Sequence, residues 1–447
     1  MRRTQAIAAV VLTMMMSSSA RLAAQHGSPG GPVPVALLQA RRDALLRTMP
    51  KGVLVINASK IRSIESDYPQ DSDFRENNDF FYLTGVESPN GALVAIQPDS
   101  GGANGRIMLF LGAPPAARDA WSAARTSADS MGAALTGIRD IQVRPVARRV
   151  VQGTPAGATP PSSPIGPPPD PMVAMVDSIA AANNLQRVPS RTVMGMLRIV
   201  KDADELRRLR KASDVSADAH REAMKATRPG MWEYEVEGLI EYTFRRNGAE
   251  RVGYPSIVGS GINSTILHYD LSRRQMKSGD LLLVDAAAEW GYYTADLTRT
   301  FPVSGKFTAR QKAIYDLVLG TQQAAIDATK PGTTIAAIQT IARNYMKEHS
   351  GDLCAPGDCT KYFIHGLSHW VGMDVHDVGP YFLPLKPGMT FTIEPGIYIP
   401  AEELGVRIED VILVTENGSE NLTKAAPRTT AAIEALMTSG KAAPAKR

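Results

Sequence analysis

Lys277-Ser-Gly-Asp-Leu-Leu-Leu-Val-Asp285 is echoed further along the chain by Lys386-Pro-Gly-Met-Thr-Phe-Thr-Ile-Glu394. Each copy runs from a basic residue through a Gly-containing turn into a short run that ends on an acid. Such runs, bounded by turn residues, are strand signals. Two more features keep the same order around this pair. Thr227-Arg-Pro-Gly230 is echoed by Thr329-Lys-Pro-Gly332, each before a helix-like stretch, and Ile266-Leu-His-Tyr269 by Leu367-Ser-His-Trp370. Several short words repeated in one order predict two similar α/β halves facing each other.

The chemistry follows from the acids. A carboxylate at the end of an apolar strand is largely desolvated, which costs several kcal/mol unless it is paired or metal-bound. Capping of a following turn explains Asp285 alone, but poorly explains Asp285 and Glu394 together. Each acid strand is followed by another with a second acid: Asp296 in Tyr293-Thr-Ala-Asp-Leu-Thr298, and Glu409 in Val406-Arg-Ile-Glu-Asp-Val-Ile-Leu-Val414. Read as one continuous strand, the latter allows only one of Glu409 and Asp410 to face inward, with Arg407 on the face of Glu409. Four carboxylates in one cavity require cations to offset their repulsion. Two divalent metals would do so, and such pairs also activate a bridging water. Four of the seven histidines, His268, His365, His369 and His376, fall in the same segments. Spacing leaves open which of them touches metal. An oxygen-rich set with one imidazole suits Mn, Fe, Co or Zn.

Upstream, Asp202 and Glu205 form a capping-box pattern ahead of the stripe Leu206, Leu209, Ala212, Val215 and Ala219, which predicts a helix that ends before Pro229-Gly230. The second domain is therefore expected over 202–436. Residues 36–200 alternate β-like runs with helix-like segments, as in a mixed α/β domain. Gly153 to Pro171 is a Pro-, Gly- and Ala-rich surface insertion within it. The whole is expected to be α+β, with an α/β amino-terminal domain and a pseudo-symmetric carboxy-terminal one. Residues 1–24 have the basic, apolar and small-residue regions of a signal peptide, so the chain is expected to be exported, with no stable membrane insertion after cleavage. Export permits a disulfide between the two cysteines, Cys354 and Cys359. A formal charge of +4 on 447 residues, with no basic stripe, argues against nucleic acid as a partner.

With these residues in place, the second domain resembles the pita-bread metallopeptidases of family M24: methionine aminopeptidase, prolidase and aminopeptidase P. The segments that carry the likeness are Ile266-Leu-His-Tyr269, Val284-Asp285, Ala295-Asp-Leu-Thr-Arg-Thr-Phe301, His365-Gly-Leu-Ser-His-Trp370, Asp374-Val-His-Asp377, Ile393-Glu-Pro-Gly396 and Arg407-Ile-Glu-Asp410. In the first domain, Ser72-Asp-Phe-Arg-Glu-Asn-Asn-Asp-Phe-Phe-Tyr-Leu-Thr-Gly85 resembles the aminopeptidase P amino-terminal domain. The resemblance implies metal ligands Asp285, Asp296, His369, Glu394 and Glu409, and two divalent ions, of which manganese is the usual one. It implies that a metal-bridging hydroxide attacks the scissile carbonyl, that Glu394 shuttles the proton, and that His268, His365 and His376 line the substrate side beside Arg407. Asp79 is implied as a contact for the substrate amine. The activity implied is removal of an N-terminal residue that precedes proline, by a homo-oligomer, dimer or tetramer. Two rivals are implied alongside: cleavage of Xaa-Pro dipeptides only, and a non-catalytic peptide-binding protein on the same fold.

Overall fold

A computed structural model describes residues 30–60, 74–99, 104–115, 125–145 and 170–441. The expected leader, 1–24, lies outside the described residues, as do Ser72, Asp73 and the Pro-rich stretch up to residue 169. Among the described residues, no helix is long and apolar enough to cross a membrane. The described chain divides into two compact units, Pro32–Leu197 and a second made of residues 198–441 together with Gly30 and Gly31.

The first unit holds α1 (Val35–Thr48), β1 (Gly52–Asn57), α2 (Asn78–Thr84), β2 (Ala92–Gln97), β3 (Arg106–Leu111), α3 (Ser130–Thr136), β4 (Ile141–Val143), α4 (Pro171–Ala182) and α5 (Ser190–Arg198). Its sheet runs β1-β2-β3-β4, antiparallel except for the parallel pair β3–β4. Val53, Val94, Ile96 and Phe110 on one face pack against Met172 and Val176 of α4. Pro171, expected to end the insertion, instead opens α4, where its fixed φ and missing N–H suit the first turn. Asp170 caps that helix by accepting from Met172 N at 3.0 Å. Asn77 caps α2 by accepting from Phe80 N at 3.1 Å, and Asp79 follows in the first turn.

The second unit repeats a plan of two helices followed by strands. The first half comprises α6 (Ala203–Ala226), α7 (Glu233–Arg246), β5 (Arg251–Val252), β6 (Ile257–Ser260), β7 (Leu281–Asp285), β8 (Ala288–Trp290), β9 (Tyr293–Thr294) and β10 (Thr298–Pro302). The second comprises α8 (Ala309–Asp327), α9 (Ile335–His349), β11 (Thr390–Ile393), β12 (Gly396–Ile399), β13 (Leu404–Arg407), β14 (Asp410–Thr415) and β15 (Gly418–Asn421), and α10 (Thr430–Lys441) ends the unit. The capping box forms as expected: Asp202 accepts from Glu205 N at 2.9 Å, and Glu205 accepts from Asp202 N at 2.9 Å. Of the expected stripe, Leu209, Ala212, Val215 and Ala219 are buried, while Leu206 is only half-buried.

β7 lies between β6 and β10, all antiparallel. β11 pairs with β14 on one side. On its other side Trp370 lies opposite Phe391, and Glu394 N donates to Leu367 O at 2.9 Å. One part of the expected repeat therefore needs correction. The residue opposite Asp285 is Ile257, just as Leu367 is opposite Glu394, so His268 is not the counterpart of His369. His268 sits in a loop beyond β6, after the 3₁₀ turn Gly261–Thr265, and the two His words match locally without sharing a strand position.

A second correction concerns Val406–Val414, which is not one strand. β13 pairs with β12 and ends at Arg407, and β14 begins at Asp410 and pairs with β11. At the break the chain changes partners, and Glu409 N donates to Thr298 O of β10 at 3.1 Å. Glu409 and Asp410 are both buried, at 2% and 0% exposure. Of the two only Glu409 lines the acid cavity, as the alternation of faces led one to expect, while Asp410 is buried on the opposite side, where Gln322 of α8 donates to it at 3.0 Å.

Candidate metal centre

The acids arrive at one cavity by four routes. Asp285 is the last residue of β7, Asp296 lies between β9 and β10, Glu394 follows β11, and Glu409 lies in the break between β13 and β14. All four line a cleft of about 530 Å³, together with His268, His365, His369, His376 and Arg407. Nine of the ten sequence-predicted site residues thus meet in one place. The tenth, Asp79, belongs to the other unit.

His369 is the hub. Its Nδ1–H donates to the Trp370 carbonyl at 3.1 Å, which leaves the Nε2 lone pair for the cavity. Nε2 lies 3.2 Å from Asp296 Oδ2, 3.3 Å from Glu394 Oε1 and 3.9 Å from Glu409 Oε1. Asp296, His369 and Glu409 offer ligand atoms that all lie within 4.8 Å of one another. An imidazole oriented through its other nitrogen and set among carboxylate oxygens is an ordinary divalent-metal donor set. The residues therefore fit a metal ion.

The electrostatics show what the protein supplies and what it leaves out. Arg407 Nη2 donates to Asp285 Oδ2 at 2.6 Å. Tyr254 OH lies 2.6 Å from Asp285 Oδ1 and 2.7 Å from Asp296 Oδ1, so one phenol serves two acids. Glu409 accepts from Thr298 Oγ1 at 2.6 Å, and Glu394 from Thr392 Oγ1 at 3.2 Å. Burial, then the negative charge of Asp296, Glu394 and Asp285, pushes Glu409 well above the carboxylate range. Burial also pushes Glu394 up to about 7, although His369 pulls it down. Burial alone would lower His369, but its hydrogen bond to Asp296 and the charges of Asp296 and Glu394 raise it to about 9. The cluster is short of positive charge, and either a proton or a metal cation can supply it.

The remaining histidines differ from His369. His365 Nδ1–H donates to Gly366 O at 2.8 Å, and its Nε2 accepts from Tyr398 OH at 2.8 Å. Tyr398 OH in turn accepts from Arg407 Nη1 at 3.1 Å. Burial, reinforced by Arg407, lowers His365 to about 4, so it is neutral at ordinary pH. His376 is exposed, with its ring 4.3 Å from that of His369 and nearly perpendicular to it. Burial of part of its ring and the charge of His369 lower its pKa. Beside it Asp377 is buried between Arg198 and Lys201, whose Nζ donates at 3.0 Å.

Sequence reasoning missed Tyr254, Tyr398 and the two threonines. Hydroxyls carry no charge pattern to find. The one local sign is Gly253, where any side chain would run into Thr294. That glycine lets the segment before Tyr254 lie against β9, so the phenol reaches both acids.

Comparison with known proteins gives the same answer over both units. Residues 207–416 match metallopeptidase family M24, and residues 38–144 match the aminopeptidase P N-terminal domain. The chain is 35% identical to the Xaa-Pro aminopeptidase of Escherichia coli, over 90% of this chain and 98% of that one. It is 38% identical to the Xaa-Pro dipeptidase of Pyrococcus furiosus, over 56% of this chain and 71% of that one. Among solved structures, Zn-substituted E. coli aminopeptidase P in complex with product matches with a TM-score of 0.76 at 34% identity, covering 92% of this chain and 99% of that one. The chain is thus a member of metallopeptidase family M24, with an amino-terminal domain of the aminopeptidase P type.

Proposed function

We propose that this protein is an Xaa-Pro aminopeptidase, which removes an N-terminal residue from peptides with proline in second position. The observation that carries this reading is the extent of the match: the E. coli aminopeptidase aligns over 90% of this chain, both units included. Xaa-Pro dipeptidases align over little more than half of it. A solved E. coli aminopeptidase P holds the inhibitor Pro-Leu, a dipeptide that begins with proline, as the product of such a cleavage does.

In this reading, Asp285, Asp296, His369, Glu394 and Glu409 hold two divalent ions, with manganese the first choice and zinc, cobalt or iron as others. Bound there, the ions offset the carboxylate charge, polarise the scissile carbonyl and make a water nucleophilic at neutral pH. Glu394 takes up and returns a proton from its place in the cavity wall between His365 and His369. His376 and His268 present imidazoles from the cavity wall to the peptide backbone and to the oxygen that gains charge. Arg407 donates to Asp285, opposing the upward push of burial on that carboxyl, and braces Tyr398, which keeps His365 in a single tautomer. Export after removal of residues 1–24, and assembly as a dimer or tetramer, belong to the same proposal.

The test is Mn²⁺-dependent hydrolysis of an Xaa-Pro-Xaa tripeptide beside an Xaa-Ala-Xaa control and an Xaa-Pro dipeptide. Cleavage before proline in the tripeptide, with little in the control, is the expected result. Cleavage of the dipeptide alone would make the protein a prolidase. No cleavage with any divalent metal would favour a peptide-binding protein.

A further inference from the structure

Glu233 opens α7 and is fully buried, yet among the described residues no Lys or Arg side chain forms an ion pair with it. Its carboxylate is matched by neutral donors instead. Oε1 accepts from Ser260 N and Ser260 Oγ, both at 2.7 Å, and from Asn263 Nδ2 at 3.1 Å. Oε2 accepts from Tyr269 OH and from Arg274 N, both at 2.9 Å. Glu233 N also donates to Arg274 O at 3.0 Å. A buried carboxylate needs such a complement, since each missing donor leaves part of its desolvation cost uncompensated. Its place in the first turn of a helix is favourable too. Helix capping does not account for it, because Glu235 performs that task by accepting from Trp232 N at 2.6 Å.

The donors are all drawn from one excursion of the chain. Ser260 ends β6, Arg274 lies on the return to β7, and Tyr269 directly follows His268. One carboxylate therefore grips both ends of the loop and its middle. His268 needs that support. Its side chain is exposed to the cavity, and among the described residues the ring makes no hydrogen bond. Its position is inherited from its neighbours: Leu267 O accepts from Arg407 Nη2 at 3.4 Å, and Tyr269 is held by Glu233. We infer that Glu233 is a positioning residue, which sets through Tyr269 and the ends of Ser260–Arg274 where His268 meets the substrate. This rests on the proposed role of His268 as a group on the substrate side.

Tyr269→Phe deletes one donor with little risk to folding, and Glu233→Gln tests the hub itself. Both are measured in the Mn²⁺-loaded protein on the Xaa-Pro-Xaa tripeptide, alone and combined with His268→Ala. Tyr269→Phe is expected to lower kcat/KM on the order of tenfold, as small misplacements of a catalytic group do, and Glu233→Gln to lower it further. Metal content stays unchanged, and neither substitution costs anything more once His268 is alanine. A full loss on top of His268→Ala, or wild-type kcat/KM in Tyr269→Phe, overturns the inference. Amide hydrogen exchange gives a readout independent of turnover: Tyr269→Phe is expected to speed exchange within 260–274 only, and unchanged exchange there also overturns it. A wild-type protein that cleaves no peptide fails the functional reading instead, and the exchange result then decides whether Glu233 holds the loop.

Discussion

Glu409 and Asp410 are adjacent, equally buried and chemically alike, yet they face opposite sides of one sheet in opposite circumstances. Asp410 meets a full set of partners: Arg299 Nη2 at 2.7 Å, Thr423 Oγ1 at 2.6 Å and Gln322 Nε2 at 3.0 Å. Arg299 is itself wholly buried and also donates to Glu409 O at 2.7 Å. Glu409 has one threonine hydroxyl, and three other carboxylates for company. Burial of a charge is thus no mark of function by itself. A buried carboxylate whose donors are complete belongs to the scaffold, whereas one whose donors run short, in a cluster where several acids share the one imidazole of His369, is suited to a cation.

Exchanging the two fates one residue at a time should break the protein in different ways. Glu409→Gln removes a proposed ligand, and is expected to cut kcat/KM on the order of a thousandfold or more and to lower bound metal. Stability of the metal-free protein should hold or rise, since a buried acid short of donors has gone. His369→Ala and Glu394→Ala should behave alike, and retained turnover in all three would sink the assigned centre. Asp410→Asn leaves Arg299 buried without its counter-charge. It should cost about 3–5 kcal/mol in urea unfolding, while the folded fraction keeps its metal stoichiometry. If Asp410→Asn instead lost metal at wild-type stability, the division between scaffold and site would be wrong.

The charge shortage also gives a pH signature. Folding raises Glu394 from 4.5 to about 7 and His369 from 6.5 to about 9. A group whose pKa rises on folding stabilises the native state fully below its unfolded value, and that stability is lost as pH climbs through the folded value. Both groups therefore act in one direction, and metal-free protein should lose a few kcal/mol between about pH 4.5 and 9, roughly 3 kcal/mol of it from Glu394. Glu76, in the other unit, is pushed up to about 7 by burial against the pull of three backbone amides, and adds a slope of the same sign that metal does not remove. Metal displaces protons from its ligands, so the gap in Tm between Mn²⁺-loaded and chelator-treated protein should widen with pH. A gap that narrows from pH 5 to 9 would contradict the cation-deficient cluster.

The acids of the site were legible because each sits at the end of, or just beyond, a short apolar run, where a charge has no local excuse. The helix starting at Asp202 was legible because its capping box is local. Non-local partners were not. Asp410 and Arg299 are 111 residues apart, and nothing in Arg407-Ile-Glu-Asp410 announces that the strand breaks there. The apolar residues Val406, Ile408 and Val411 run on through the break, and only the change of pairing from β12 to β11 reveals it. The false equivalence of His268 and His369 has the same origin: short words repeat easily, whereas strand register depends on what lies opposite.

Tyr254 makes the smallest and sharpest test, because it is an uncharged donor on the side of the cluster that the protein already serves. Asp285 has Arg407 as well as the phenol, but Asp296 has the phenol and the imidazole of His369. Tyr254→Phe keeps the ring and deletes only the hydroxyl. If bound metal supplies most of the compensation, the loss should appear chiefly as weaker metal binding, about 10- to 100-fold as for other groups that orient metal ligands, with kcat near wild type at saturating Mn²⁺. Titration of activity against free Mn²⁺ separates the two effects. A kcat that stays low at saturation would mean that the hydroxyl acts on the substrate, and that Asp285 and Asp296 are completed by metal alone.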